Sequence, residues 1–237
     1  TLDPLHRVVL QAARGLLLGD PRPRLNRART GVILAAIVLP TESASALTRE
    51  LFEPLLTKAA TGRAALQPPD ASALLRRRAA ARLTGLPAAL LARAFGLGGT
   101  TLTLDAACAS SLYAIKLACD ELRAGRAEAI VTGGVSRPDA LFTQVGFSQL
   151  RALSPSGRCA PFDRSADGLV VGEGAGLLLL KRLGDALADG DEVLGLIRGI
   201  GLSNDLRGNL LAPDTEGQLR AMRPAYVAAG WAPGDVD

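Results

Sequence analysis

Cys108 stands in the run Leu104-Asp105-Ala106-Ala107-Cys108-Ala109-Ser110-Ser111, and its surroundings are those of a nucleophile. A β-like stretch, Thr100 to Leu104, precedes it, and an amphipathic helix pattern, Ser111 to Arg123, follows. A strand that turns sharply into a helix pushes the turn residue's side chain into a pocket. It also leaves the first N–H groups of the helix without partners. Those donors, with the positive end of the helix dipole, favour thiolate over thiol. Ala106, Ala107 and Ala109 are small enough to let the backbone turn tightly and to leave room for a substrate carbonyl. The chemistry on offer is attack of sulfur on that carbonyl.

The other chemically capable residues read differently. Cys119 lies mid-helix on the apolar face, away from any helix terminus, and reads as core packing. Cys159 follows Arg158 in a loop and is expected to be partly buried and unreactive. Cys108 and Cys119 sit on one helix, roughly 16 Å apart at 1.5 Å per residue. A disulfide needs Cα atoms within ~7 Å. An odd number of cysteines without framework spacing fits a reducing cytoplasm. His6 is the single histidine and reads as a surface or packing residue, so no zinc site is expected.

Gly172-Glu-Gly-Ala-Gly176 has the wrong spacing for a dinucleotide loop, and Leu177 to Leu180 continues as strand. Glu173 is expected among apolar neighbours. A carboxylate there must be paired, by a salt bridge or hydrogen bonds that order the active-site wall. Asp163 and Asp167, beside Pro161 and Gly168, read as turn residues.

The elements that would position these residues alternate in type. A helical stretch runs from Leu5 to Leu18, and Gly31 to Leu39 reads as a buried strand. Helical patterns follow at Ala46 to Ala59, Ala71 to Leu83 and Pro87 to Phe95, the last ending at Gly96. The helix after Cys108 has Leu112, Ile115, Ala118, Cys119 and Leu122 on one face, with Lys116 and Asp120 paired on another. Gly125 stops it. Ala129 to Val135 is the next buried strand. Leu169 to Val171 and Leu177 to Leu180 read as two β segments joined through glycines. Val193 to Ser203 is a further strand, and Thr215 to Ala229 a helix closed by Gly230. Alternating strands and helices imply an α/β fold with a mostly parallel sheet covered on both faces.

Composition excludes several classes. The 237 residues are 48 % hydrophobic and 21 % charged, which is a globular balance. No apolar run approaches the ~18 residues of a membrane helix. Net charge is +4, and the basic residues are mostly arginine, scattered except for Arg76-Arg77-Arg78. That cluster reads as a solvated helix face, or as a docking patch for an acidic partner. Aromatics are 3 % and do not interleave with the basic residues, which argues against nucleic acid. The chain begins at Thr1 with no leader pattern and reads as a piece of a longer protein.

The stretch Asp105-Ala-Ala-Cys108-Ala-Ser-Ser111 resembles the active-site signature of β-ketoacyl synthases, the condensing enzymes of fatty-acid and polyketide synthesis. Three later stretches resemble the same family in the same order: Leu153-Ser-Pro-Ser-Gly-Arg158, Pro161-Phe-Asp163 with Ala166-Asp-Gly168, and Gly172-Glu-Gly-Ala-Gly176. The resemblance covers roughly Gly31 to Asp237. Ser111-Leu-Tyr-Ala-Ile-Lys-Leu-Ala118 and Gly201-Leu-Ser-Asn-Asp205 look most like ketosynthase domains of polyunsaturated fatty-acid synthases and modular megasynthases.

This resemblance implies the thiolase-like fold, layered α-β-α-β-α, whose halves each hold a five-stranded sheet. The chain would hold the N-terminal half and the start of the second. Residues 1–30 would form a helical and linker segment, and residues 31–237 the synthase N-terminal domain. It implies Cys108 as catalytic nucleophile, Ala106, Ala107 and Ala109 around the oxyanion, and Glu173 as support. No cofactor would be bound directly, since acyl groups arrive on the phosphopantetheine of an acyl carrier protein. A homodimer and neighbouring megasynthase domains are implied as partners. The family's two later histidines are absent, and the chain would stop just before the first. Rival readings are a coenzyme A thiolase, a cysteine hydrolase and a non-catalytic chain-length partner. The carrier-protein motifs, the flanks Ala106 and Ser110, and the presence of Cys108 respectively weigh against them.

Overall fold

The computed structural model describes residues 2–37, 57–58, 61–62, 85–137, 141–206 and 214–236. Most of the helix expected from Ala46 to Ala59 lies outside these residues. So do the whole helix expected from Ala71 to Leu83 and the Arg76-Arg77-Arg78 cluster. Two compact units are present, Thr1–Lys181 and Arg182–Asp237.

The first unit is a layered α/β body. Helix α1 (Pro4–Leu18) starts where Asp3 accepts the N–H of Leu5 at 3.0 Å, with proline in the first turn. It buries Leu5, Val9, Ala13 and Leu17, one residue per turn on a single stripe. Strand β1 (Thr30–Ala35) is buried at every position. Helix α2 (Leu86–Phe95) ends as the sequence predicts, with Gly96 in the left-handed region at φ 65°. Strand β2 (Thr101–Leu104), helix α3 (Ser110–Arg123) and strand β3 (Ala129–Ser136) follow, then helix α4 (Leu141–Gln149) and strand β4 (Gly174–Lys181).

The sheet order is β2-β1-β3-β4. β1 runs parallel to both β2 and β3, and β4 runs antiparallel to β3. Among the described residues the sheet has four strands, against the five implied for one half of the fold. Alternate residues of β1 serve opposite faces. Val32 and Leu34 pack with α1, α2 and Val131. Ile33 and Ala35 pack with Ala114, Ala118 and Leu122 of α3 and with Ile130. A strand buried on both faces therefore reads as a continuous apolar run. Full burial of each such Leu or Ile is worth about 1.5–3 kcal/mol. Helix α1 shares this core and packs as part of the first unit.

Several local expectations change. The buried stripe of α3 is Ser110, Ala114, Ala118, Cys119 and Leu122, and Leu112 is 59 % exposed. Small residues face the sheet because they let the helix approach it closely; the larger Leu112 points away. Leu169 makes one isolated bridge, to Leu153, in place of a β segment. Gly174 and Gly176 lie inside β4 and do not join two strands. The structure adds two helices that the sequence pattern does not predict, α4 and α5 (Leu183–Asp189).

The second unit contains α5 and helix α6 (Thr215–Ala229), which ends at Gly230 as expected. Val193 to Ser203 pairs with no strand among the described residues. A strand is defined by a neighbour that completes its ladder, and apolar alternation alone does not supply one. The stretch instead packs on α6. Gly199 and Gly201 abut the carbonyls of Ala225 and Ala221, where a side chain has no room. Arg198 lies 5.8 Å from the centre of the Trp231 ring.

Candidate active site

The carboxyl ends of the parallel strands meet the start of α3. β2 ends at Leu104, residues 105–109 make the turn, and α3 begins at Ser110. This is the strand-turn-helix that the sequence predicts. The strained residue of the turn is Ala107, whose φ is +50°, a region that residues with a Cβ rarely occupy. Cys108 follows it and is exposed. Ala106 and Ala109 are half-buried, and Ala107 is exposed. The small residues thus leave the sulfur uncovered.

The N–H of Ala109 donates to the carbonyl of Ala106 at 3.2 Å, and further hydrogen bonds hold the turn. The Asp105 carboxylate accepts the N–H of Ala107 at 2.9 Å. The Ser110 hydroxyl accepts the N–H of Ala106 at 2.8 Å and donates to the carbonyl of Ala107 at 2.5 Å. The Ser110 N–H donates to that same carbonyl at 3.1 Å. Ser110 is only 5 % exposed. The sequence pattern gives Ser110 a place in the motif but no role in holding the turn; the available signal is a hydroxyl at the first helical position, directly after a turn. Beyond it, the N–H groups of Ser111 and Leu112 have no acceptor among the described residues. They make the helix end beside Cys108 electropositive.

The remaining cysteines separate as follows. Cys119 is buried in α3, and burial pushes its thiol pKa up, as a core residue's should be. Cys159 is exposed, contrary to the partial burial expected, because its loop lies on the surface of the first unit. His6 is 5 % exposed on α1, and burial lowers its pKa against the opposing pull of Asp3. No group of three or more His, Cys, Asp or Glu suited to a metal is present among the described residues.

Glu173 is not surrounded by apolar side chains. Its side chain is 62 % exposed, because it precedes β4 at the solvent end of the sheet. It does face a cation: Arg137 Nε lies 4.0 Å from its carboxylate, and the Arg137 side chain is 16 % exposed. The pair sits just past Ser136 and Gly174, the last partners of the β3–β4 ladder. Arg137 was not singled out in the sequence.

Asp163 and Asp167 also differ from each other. Asp163 makes a local turn, accepting the N–H and hydroxyl of Ser165, both at 2.7 Å, and these bonds lower its pKa. Asp167 reaches back thirteen residues to the Ser154 hydroxyl, at 2.5 Å, and to the Ser156 N–H, at 3.3 Å. It closes the motif-rich loop on itself. Among the described residues no helix is long and apolar enough to cross a membrane.

Comparison with known proteins agrees with this architecture. Residues 1–186 match the family model of the β-ketoacyl synthase N-terminal domain. The chain is 46 % identical over 142 residues to one of the phenolphthiocerol/phthiocerol polyketide synthase proteins of Mycobacterium tuberculosis. That match covers 60 % of this chain and 8 % of the relative, so the chain spans a small part of that protein's length. Among solved structures, the PfaC keto synthase-chain length factor superposes with a TM-score of 0.79 at 37 % identity. It is matched over 99 % of this chain and 26 % of its own. A ketosynthase in complex with a type II polyketide synthase acyl-carrier protein superposes at 0.75 and 22 % identity, over 98 % of this chain and 57 % of that one, a likeness of fold. The thiolase-like α/β fold, and a match that covers most of its length, place this chain in the β-ketoacyl synthase family, whose N-terminal domain it carries.

Proposed function

We propose that Cys108 is the acyl-accepting nucleophile of a polyketide-type ketosynthase. The observation that carries this reading is an exposed thiol at a strand-turn-helix elbow, beside helix N–H groups that have no acceptor among the described residues. The Cys108 thiolate attacks the carbonyl carbon of an acyl thioester held on the phosphopantetheine of an acyl carrier protein. A new carbon–sulfur bond forms to Cys108, the old one breaks, and the released pantetheine thiolate takes up a proton. The Cys108 N–H faces the developing oxyanion, a contribution of ~3 kcal/mol per donor in other acyl-transfer enzymes.

In the complete enzyme, a malonyl group on the carrier then loses CO₂. The electron pair of the broken bond forms the carbon–carbon bond to the acyl carbon, and Cys108 leaves as thiolate. The family resemblance assigns two histidines to that step. The 237 residues contain one histidine, His6, which is buried in α1. Acyl transfer is therefore assigned to this chain and condensation to the complete enzyme.

Ala106, Ala107 and Ala109 line the approach to the sulfur, and the Arg137–Glu173 pair steadies the sheet end behind it. The acidic carrier protein suits a chain of net charge +4. The outer edge of β2 carries no strand among the described residues, and we assign it to a homodimer interface. Other megasynthase domains and a reducing cytoplasm complete the reading.

Peptide mapping after iodoacetamide labelling at neutral pH, with and without the thiolate-directed inhibitor cerulenin, tests the nucleophile. Cys108 should label fastest, and cerulenin should block it. Exposure alone would label Cys159 equally, so equal rates at Cys108 and Cys159 would sink the proposal.

A further inference from the structure

The turn before α3 contains a device that aims one backbone donor. A trans peptide is planar, so its C=O and N–H point in opposite directions. The carbonyl of Ala107 and the N–H of Cys108 belong to one such peptide. That carbonyl is held inward by the Ser110 hydroxyl at 2.5 Å and the Ser110 N–H at 3.1 Å. The Cys108 N–H must then point the other way, out of the turn. Ala107 sits at φ +50°, which a residue with a Cβ adopts at a cost. Rotation of the 107–108 peptide, through ψ of Ala107 and φ of Cys108, would turn the Cys108 N–H away. The Ser110 hydroxyl opposes this rotation from both sides, since it also accepts the Ala106 N–H at 2.8 Å. Asp105 holds the peptide between Ala106 and Ala107 through the Ala107 N–H at 2.9 Å.

We propose that Ser110 is a positioning residue: its buried hydroxyl locks the Ala107–Cys108 peptide so that the Cys108 N–H is fixed as the oxyanion donor. Asp105 assists from the exposed side of the turn. The bonds of the Ser110 hydroxyl go to backbone atoms of Ala106 and Ala107, so it acts through the peptide. The inference rests on the reading of Cys108 as nucleophile. It differs from that reading in what it predicts. Alkylation by iodoacetamide forms no oxyanion, so it needs the thiolate and access but no aimed N–H. Acylation by a thioester needs all three.

The test uses the whole 237-residue chain and two probes, iodoacetamide and an acyl-N-acetylcysteamine thioester, with modification at Cys108 followed by peptide mass. Ser110→Ala should slow acylation about tenfold or more while alkylation changes less than about threefold, since removal of an oxyanion donor costs ~10²–10³. Ser110→Thr keeps the hydroxyl and should restore the acylation rate. Asp105→Ala, at an exposed position, should lower the ratio of acylation to alkylation in the same direction by a smaller factor. It decides the matter if Ser110→Ala loses its cooperative melt. Parallel loss of both rates, or an unchanged ratio in Ser110→Ala and Asp105→Ala, would overturn the proposal and leave the nucleophile standing. A wild-type chain that alkylates at Cys108 but takes no acyl group would overturn the nucleophile as well.

Discussion

Gly133 of β3, the ladder partner of Leu177, lies against the neighbouring Gly176 carbonyl of β4 with no space for a side chain of its own. A Cβ on Gly133 would overlap the Gly176 carbonyl oxygen, and the backbone there has φ +142°. The adjacent Gly134 is different: a Cβ there would stand 3.4 Å from the Cβ of Ser111, near ordinary contact. Two neighbouring glycines therefore serve separate ends. One lets two strands approach, and the other makes room beneath the start of α3.

Gly133→Ala should destabilise the first unit by at least about 2 kcal/mol, since both a clash with backbone and an unfavourable φ arise together. Gly134→Ala should cost under about 1.5 kcal/mol. Chemical denaturation of the two variants gives the comparison, and equal losses would contradict the difference in spacing.

Leu91 of α2 is fully buried and Leu112 of α3 is 59 % exposed. Leu91→Ala should cost about 2–5 kcal/mol through lost burial and the cavity left. Leu112→Ala should stay within about 0.5 kcal/mol. A large effect at Leu112 in this chain would place it in a core that the structure does not give it.

His6 supplies a pH dependence whose sign follows from burial. Its folded-state pKa lies below the usual 6.5, so folding disfavours the protonated form. The stability tied to neutral His6 is fully present above the unfolded pKa of about 6.5 and is lost as pH falls from there toward the folded value. His6→Leu should flatten the decline in melting temperature between pH 7 and pH 5. An identical decline in the variant would show that other groups cause it.

Asp167 should govern the loop from Leu153 to Leu169. Its pKa is lowered chiefly by the Ser154 hydroxyl, so the clip is intact above the ordinary carboxylate range and opens as pH falls through the depressed value. Asp167→Ala should raise hydrogen exchange and protease cleavage at Ser156 to Cys159 at neutral pH with little change in the global melt. Unchanged exchange in that segment would remove Asp167 from this role.

Much of the first unit was legible because its determinants are local. The helical stretch from Leu5 to Leu18 becomes α1, Gly96 and Gly125 follow the ends of α2 and α3, and apolar β-branched runs make β1 and β3. The elbow at Cys108 was legible for the same reason: strand, small residues and helix pattern stand within a few residues of one another. Cys119 followed from its position inside a helix.

Other features depend on partners far along the chain. Val193 to Ser203 has the apolar composition of a strand, but a strand needs a neighbour, and none pairs with it among the described residues. Leu112 fits a helical apolar pattern, yet the face that meets the sheet is the small-residue stripe of Ser110, Ala114 and Ala118. The grip of Asp167 on Ser154 and the pairing of Arg137 with Glu173 join residues 13 and 36 positions apart. Local residue types were enough to place Cys108 in a turn between a strand and a helix. Tertiary structure alone decided how that turn is held, because the bonds of Ser110 exist only once the strained φ of Ala107 has brought its hydroxyl back over the peptides before it.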